Sequence, residues 1–209
     1  MAINLTKGQK ISLKKDNGGT LTNMCIGINW GAIDSVSKGF LGFGGGQKKK
    51  EAVDLDASCA MFDDNNNLLD VIYFGQLNSK DGSIQHSGDD LTGDVDGDDG
   101  LDNEVIMVDL SKVSPKATKI AFILNSFRGQ DFATVPFANI RIYEGTPSKV
   151  DNIFATFNIS GDPKYSGFVS MIMGKLYKRN GEWKFASIGE PTRDAKLEDT
   201  LKTVVQSYL

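Results

Sequence analysis

Leu176-Tyr177-Lys178-Arg179-Asn180-Gly181-Glu182-Trp183 is the stretch on which the fold class turns. Asn-Gly supplies the positive φ angles that a tight hairpin requires. Before it runs the apolar and aromatic segment Phe168–Tyr177, and after it Trp183–Ile188. The three together read as two antiparallel strands and their turn. Working outward, the same β-branched and aromatic alternation marks Lys10–Leu13, Leu21–Trp30, Val53–Phe62, Leu68–Phe74, Val105–Leu110, Lys119–Asn125, Phe137–Tyr143 and Ile153–Ile159. Asp16-Asn17-Gly18-Gly19 and Asp63-Asp64-Asn65-Asn66-Asn67 are further turn punctuation.

The C-terminus has a different period. Leu197, Leu201, Val204, Val205 and Tyr208 fall on one helical face, with Asp194 as the expected N-cap and Pro191 just upstream. A short helical turn is expected near Gln130–Thr134, ended by Pro136. The expected fold is therefore mainly all-β: a two-sheet antiparallel β-sandwich carrying one C-terminal amphipathic helix. With 209 residues, 40% of them apolar, the chain reads as one domain over 1–209 with a core of its own. Its 23 glycines against five prolines suit short strands joined by many turns.

Several classes are disfavoured. Met1-Ala2-Ile3-Asn4-Leu5 does not begin a secretory signal, and no apolar run approaches the about 18 residues that cross a bilayer. Cys25 and Cys59 lie inside apolar runs and read as reduced, buried thiols of a cytoplasmic protein. Gly39-Phe40-Leu41-Gly42-Phe43-Gly44-Gly45-Gly46-Gln47-Lys48-Lys49-Lys50 lacks the Gly-Lys-Ser/Thr of a phosphate loop and the dinucleotide fingerprint. It reads as a flexible surface loop with a solvated basic end, with docking as the sharper alternative. Overall acidity without a basic, aromatic-studded stripe argues against nucleic acid.

The charge distribution carries the functional signal. Asp89, Asp90, Asp94, Asp96, Asp98, Asp99, Asp102 and Glu104 place eight acids in 16 residues with no Lys or Arg among them. The net charge is −4, yet the rest of the chain holds 19 acids against 23 bases and is positive. Two like charges about 6 Å apart repel by roughly 3 kcal/mol at an effective dielectric near 20. Such a loop either stays extended in water or takes up cations. Gly88, Gly93, Gly97 and Gly100 allow turns that aim several oxygens at one point, and an all-oxygen donor set favours calcium over softer metals.

An EF-hand does not fit, because with Asp94, Asp96 and Asp98 at its first three ligand positions, Asp99 and Val105 stand where Gly and Glu are required. The site is expected to be completed from Asp54-Leu55-Asp56-Ala57-Ser58, where alternation puts Asp54 and Asp56 on one strand face. His86, the only histidine, reads as a turn residue bonded to backbone, since oxygen-rich calcium sites rarely take imidazole. The Asp63–Asn67 run reads as an ordinary turn.

These residues resemble the TerD family of tellurium-resistance and general stress proteins, most closely its TerZ/TerX-like branch. The resemblance runs over nearly the whole chain: Leu5–Leu13, Gly27-Ile28-Asn29-Trp30, Asp54–Ser58, Tyr73-Phe74-Gly75, His86–Gly93, Gly97-Asp98-Asp99, Asp102-Asn103-Glu104 and Gly181–Phe185. It implies a calcium-binding β-sandwich, usually with two ions, and ligands at Asp56, Asp89, Asp90, Asp98, Asp99 and Glu104. Asp54, Asp94, Asp96 and Asp102 complete the candidate set. The chain departs from the family pattern at Gly31, where many members carry Asp, and at Asp90, where many carry Asn; a ligand is then missing or supplied by Asp34. Implied partners are other stress and tellurite-resistance proteins, with the inner membrane surface as one place of assembly. Some members of the family are described as cyclic-AMP-binding.

The leading expectation is a non-enzymatic, calcium-stabilised binding or scaffold module. The alternatives are a metal-dependent phosphoesterase and a cyclic-nucleotide or small-ligand binder. The single histidine, and the lack of a base outside the ligand set, weigh against the enzyme.

Overall fold

The computed structural model describes residues 3–4, 8–13, 19–36, 48–159 and 162–209. In chain order the strands are β1 (Ile3–Asn4), β2 (Lys10–Ser12), β3 (Asn23–Trp30), β4 (Ile33–Val36), β5 (Lys48–Glu51), β6 (Leu55–Phe62), β7 (Leu68–Ile72) and β8 (Ile84–His86). They continue with β9 (Glu104–Asp109), β10 (Lys119–Ser126), β11 (Ala138–Thr146), β12 (Lys149–Asn158), β13 (Ser170–Arg179) and β14 (Glu182–Thr192), and the chain closes with helix α1 (Leu197–Ser207). Two six-stranded sheets form, ordered β1-β12-β11-β3-β9-β8 and β2-β14-β13-β10-β6-β7. All pairs in them are antiparallel except β1 with β12.

The hairpin expected at Asn180-Gly181 forms. Arg179 pairs with Glu182 across Asn180 (φ 53°) and Gly181 (φ 78°), a two-residue turn with both centres left-handed.

Alternation decides which side chains meet. Met24, Ile26, Ile28 and Trp30 of β3 face Leu55, Ala57, Cys59 and Met61 of β6 in one buried cluster between the sheets. The other face of β6 carries Ala60 and Phe62, and there Val204, Leu197 and Leu201 of α1 pack against the second sheet. Asp56 and Ser58 share that outward face by the same period of two. On the outside of the first sheet, Cys25, Val105 and Tyr143 make a smaller cluster. Both thiols are free and buried, and burial pushes Cys25 up to about 11.

Four expectations are corrected. Asp194 does not cap α1: the N-cap is Lys196 without a side-chain bond, and Asp194 Oδ2 instead accepts from Thr192 Oγ1 (2.8 Å) and Thr203 Oγ1 (3.0 Å). The buried face of α1 is centred on Thr200 and Val204, while Val205 is exposed. Gln130–Thr134 forms a hydrogen-bonded turn, Thr134 N to Asp131 O at 3.0 Å, and no helix. Lys48–Lys50 are not loop: β5 pairs with β4, where Lys50 Nζ meets Asp34 at 2.8 Å. The glycine-rich part of that segment, residues 39–47, lies outside the described residues, as does residues 16–18 of the first predicted turn.

Candidate metal centre

Trp30 organises the acidic loop. Its indole ring is fully buried, and Nε1 donates to the Val53 carbonyl at 2.8 Å, tying the end of β3 to the start of β6. Trp30 O accepts from Asp94 N (2.9 Å), and Trp30 N donates to Asn103 Oδ1 (2.7 Å). Gly93 (φ 65°) passes so close that a Cβ there would stand 2.5 Å from the indole. Val53 N donates to Thr92 O, and Ala32 N to Asp94 O, both at 3.1 Å. Both ends of the loop are therefore clamped to one buried tryptophan, and the acids between are held close together.

Two groups of three carboxylates result. Asp54, Asp56 and Asp89 each offer an oxygen within 4.8 Å of the other two, and so do Asp94, Asp98 and Asp99. Two oxygens each about 2.4 Å from one calcium ion can stand at most about 4.8 Å apart, so either spacing is compatible with a shared ion.

In the first group Asp54 and Asp56 are buried and Asp89 is exposed. Asp54 Oδ2 lies 3.3 Å from Arg128 Nε, while its buried Oδ1 has no partner. Burial raises the pKa of Asp54, against the pull of Arg128 and with the push of Asp89. Burial, then Glu104 and Asp54, carry Asp56 up to about 7. Beyond Arg128, this cluster holds no positive charge among the described contacts, and a divalent ion would offer both that and a partner for the orphaned oxygen.

The second group is more open. Asp98 Oδ1 accepts from Asn29 Nδ2 (2.9 Å) and Gly100 N (2.8 Å), and Asp99 Oδ1 accepts from Leu101 N (2.8 Å). Asp94 Oδ1 accepts from Asn103 Nδ2 at 3.1 Å. Burial, with Asp99 and Asp98 adding to it, raises Asp94.

The remaining candidates lie outside both groups. Asp90 Oδ1 accepts from Thr92 N, Thr92 Oγ1 and Gly93 N, bonds that outweigh its burial and hold its pKa low. It shapes the turn. Glu104 is fully buried: Oε2 accepts from Ala57 N (2.7 Å), and Oε1 from Asp90 N (3.2 Å). Burial nevertheless raises its pKa. Asp102 accepts from Arg141 Nε at 2.7 Å and sits across Gly27, apart from both groups. Asp96 is exposed and outside both. Asp34, the conjectured substitute ligand, is engaged by Lys50 instead.

His86 is not in a turn. It is buried in β8, where Gly88 N donates to Nδ1 (3.1 Å) and Nε2 faces Ala57 O at 3.0 Å and Glu104 Oε2 at 3.4 Å. An accepting Nδ1 puts the neutral ring's proton on Nε2, so His86 is a strut from the first sheet to β6. Burial opposes its charge, but Glu104 outweighs that and raises its pKa. Asn29, Asn103 and Arg128 contact the grouped carboxylates Asp98, Asp94 and Asp54, roles that the sequence reading does not give them. Only the position of Asn103 between two acids could have hinted at this; the partners of the other two are remote in the chain.

The family description for the TerD domain matches residues 1–208. The chain belongs to the TerD family. It is 38% identical to stress response protein SCP2 of Bacillus subtilis (strain 168), over 98% of this chain and all of that one. It is 34% identical to the tellurium resistance protein TerZ of Serratia marcescens, over 99% of each. Among solved structures, a homologue of telluride resistance protein (TerD) from Streptomyces coelicolor A3(2) superposes with a TM-score of 0.64 at 15% identity, covering 87% of this chain and 95% of the other. That last likeness is one of fold. The TerD sandwich is thus what holds β3, β6 and the acidic loop together here. No helix among the described residues is long and apolar enough to cross a membrane.

Proposed function

We propose that this TerD-family chain is a calcium-binding, non-enzymatic domain of the tellurium-resistance and stress response, acting as a calcium-stabilised binding or scaffold component. One ion is assigned to Asp54, Asp56 and Asp89, and a second to Asp94, Asp98 and Asp99. The observation that carries the reading is the first group: two buried carboxylates side by side, one with an oxygen that no donor reaches. An acid merely solvated on a loop would not be buried in this way.

The mechanism is linkage. Calcium that binds only the folded loop stabilises it by RT ln(1 + [Ca]/Kd), about 2.7 kcal/mol at a hundredfold excess over Kd. Glu104 and His86 couple the loop to β6, so ordering at the ions stiffens the junction between the sheets. The reading places the domain in the cytoplasm, where thiols such as Cys25 and Cys59 stay reduced. Its partners would be other stress and tellurite-resistance proteins. Calorimetric titration of chelator-treated protein tests it: two calcium ions per chain, with magnesium much weaker, are expected. No heat at millimolar calcium would end the proposal.

A further inference from the structure

Helix α1 leaves part of the outer face of the second sheet uncovered. Between its first turn and β6, β7 and β10 lies a cleft of about 570 Å³, within the size range of small-molecule sites. Its apolar walls are Leu68 and Val71 of β7, Phe74, Phe127, and Leu197 and Leu201 of α1. Eight large apolar side chains are left exposed among the described residues, and three of them, Leu68, Phe74 and Phe127, line this one cleft. Phe127 is 66% exposed although its ring packs edge-on to Phe74, 5.8 Å between centres. Apolar surface gathered in one concavity, unlike a leucine exposed singly, marks a place of binding.

Asp56 lines this cleft and is also a member of the first carboxylate group, with Asp54 and Asp89. Asp54 turns Oδ2 towards Arg128, so one of its two oxygens is engaged. The three carboxylates then offer fewer oxygens than the roughly six to eight that calcium takes, and a hard oxyanion suits the open position. Charge makes the ion a precondition. Without it the charged lining is Asp56 and Glu198 against Lys196, which repels an anion, and Arg128 is already paired with Asp54. We propose that this cleft binds a small carboxylate with an apolar body, its head completing the calcium shell beside Asp56 and its body lying against Leu68, Phe74 and Phe127. This ligand class rests on the calcium reading of the first group and extends it.

Two titrations of the full chain separate the ion from its ligand. Calorimetry with calcium alone comes first, and no uptake there would end the calcium reading and this ligand with it. NMR titration with octanoate and 4-phenylbutyrate follows, in calcium and in chelator, with octanol as the neutral match. Saturable binding of at least one acid in calcium, shifting the resonances of Phe74 and Phe127, is expected. The acid should bind about tenfold more weakly or worse in chelator, and octanol likewise in calcium. Phe127→Ala should weaken the acid about fivefold or more while keeping the wild-type calcium stoichiometry and melting temperature. With calcium bound, the proposal is overturned if neither acid saturates, if chelator leaves the affinity unchanged, if octanol binds equally well, or if folded Phe127→Ala binds the acid like wild type.

Discussion

Asp102 fills the space that a side chain at residue 27 would need: its Oδ2 lies 1.9 Å from where a Cβ on Gly27 would stand. Gly27 pairs with Arg141 across β3 and β11, and Arg141 Nε donates to Asp102 Oδ1 at 2.7 Å while Nη2 donates to Gly100 O at 3.0 Å. The C-terminal half of the acidic loop is thereby bolted to the outside of the first sheet at a point where the strand has no side chain of its own.

Gly27→Ala should therefore force Asp102 out of its seat and cost about 1–3 kcal/mol, the usual penalty of overpacking. A shift of the urea midpoint to lower concentration, with an unchanged slope, is the expected reading. A variant as stable as wild type would mean that Asp102 does not sit there.

Arg141→Met removes the partner of a buried carboxylate, and about 3 kcal/mol should be lost. Adding Asp102→Asn should restore part of that loss, because a neutral amide no longer needs the guanidinium. Strict additivity of the two changes in a double-mutant cycle would show that they are not coupled.

Burial raises the carboxyls of Asp54, Asp56 and Glu104, neighbouring acids push Asp54 and Asp56 further, with Asp56 reaching about 7, and Glu104 raises His86 against its burial. All four hold protons more tightly folded than unfolded. Their stabilisation is full at low pH and is lost as pH climbs through the folded values. In chelator the melting temperature should thus be lower at pH 8 than at pH 5.5, as far as these groups decide it. Calcium should raise it most at pH 8, where the carboxylates it neutralises are charged. A calcium effect equal at both pH values would contradict this.

Asp56→Asn should weaken calcium at the first group about tenfold or more, since a buried anionic ligand is lost. Asp96→Asn, exposed and outside both groups, should leave stoichiometry and affinity alone. Isothermal calorimetry on the pair separates a defined site from diffuse acidity: equal effects would favour the latter.

Trp30→Phe keeps the buried ring but deletes the donor to Val53 O, at a cost of about 1–3 kcal/mol for the stranded carbonyl. The expected signature is earlier proteolysis within residues 89–104 together with a lower melting temperature. Unaltered protection of the loop would remove Trp30 from its organising role.

The strands and their hairpin at Asn180-Gly181 were legible from sequence because period-two alternation and positive-φ turn residues act over a few neighbours. The sandwich, the C-terminal helix and the acidic loop followed from the same local chemistry. What escaped was short or non-local. Ile84–His86 is too brief to alternate, β5 looks like a basic tail until β4 lies beside it, and Lys196 starts α1 because Asp194 is drawn off by Thr203. The family resemblance put Asp56, Asp89, Asp90, Asp98, Asp99 and Glu104 ahead of Asp54, Asp94, Asp96 and Asp102, but residue type alone cannot say where an oxygen points. Only the packing of β3, β6 and the loop around Trp30 sorted them into two groups of three, a turn-former in Asp90, a link to β6 in Glu104, an anchor in Asp102 and an exposed outlier in Asp96. Carboxylate contacts act over a few ångströms, and the closure of the two sheets decides which acids come that near.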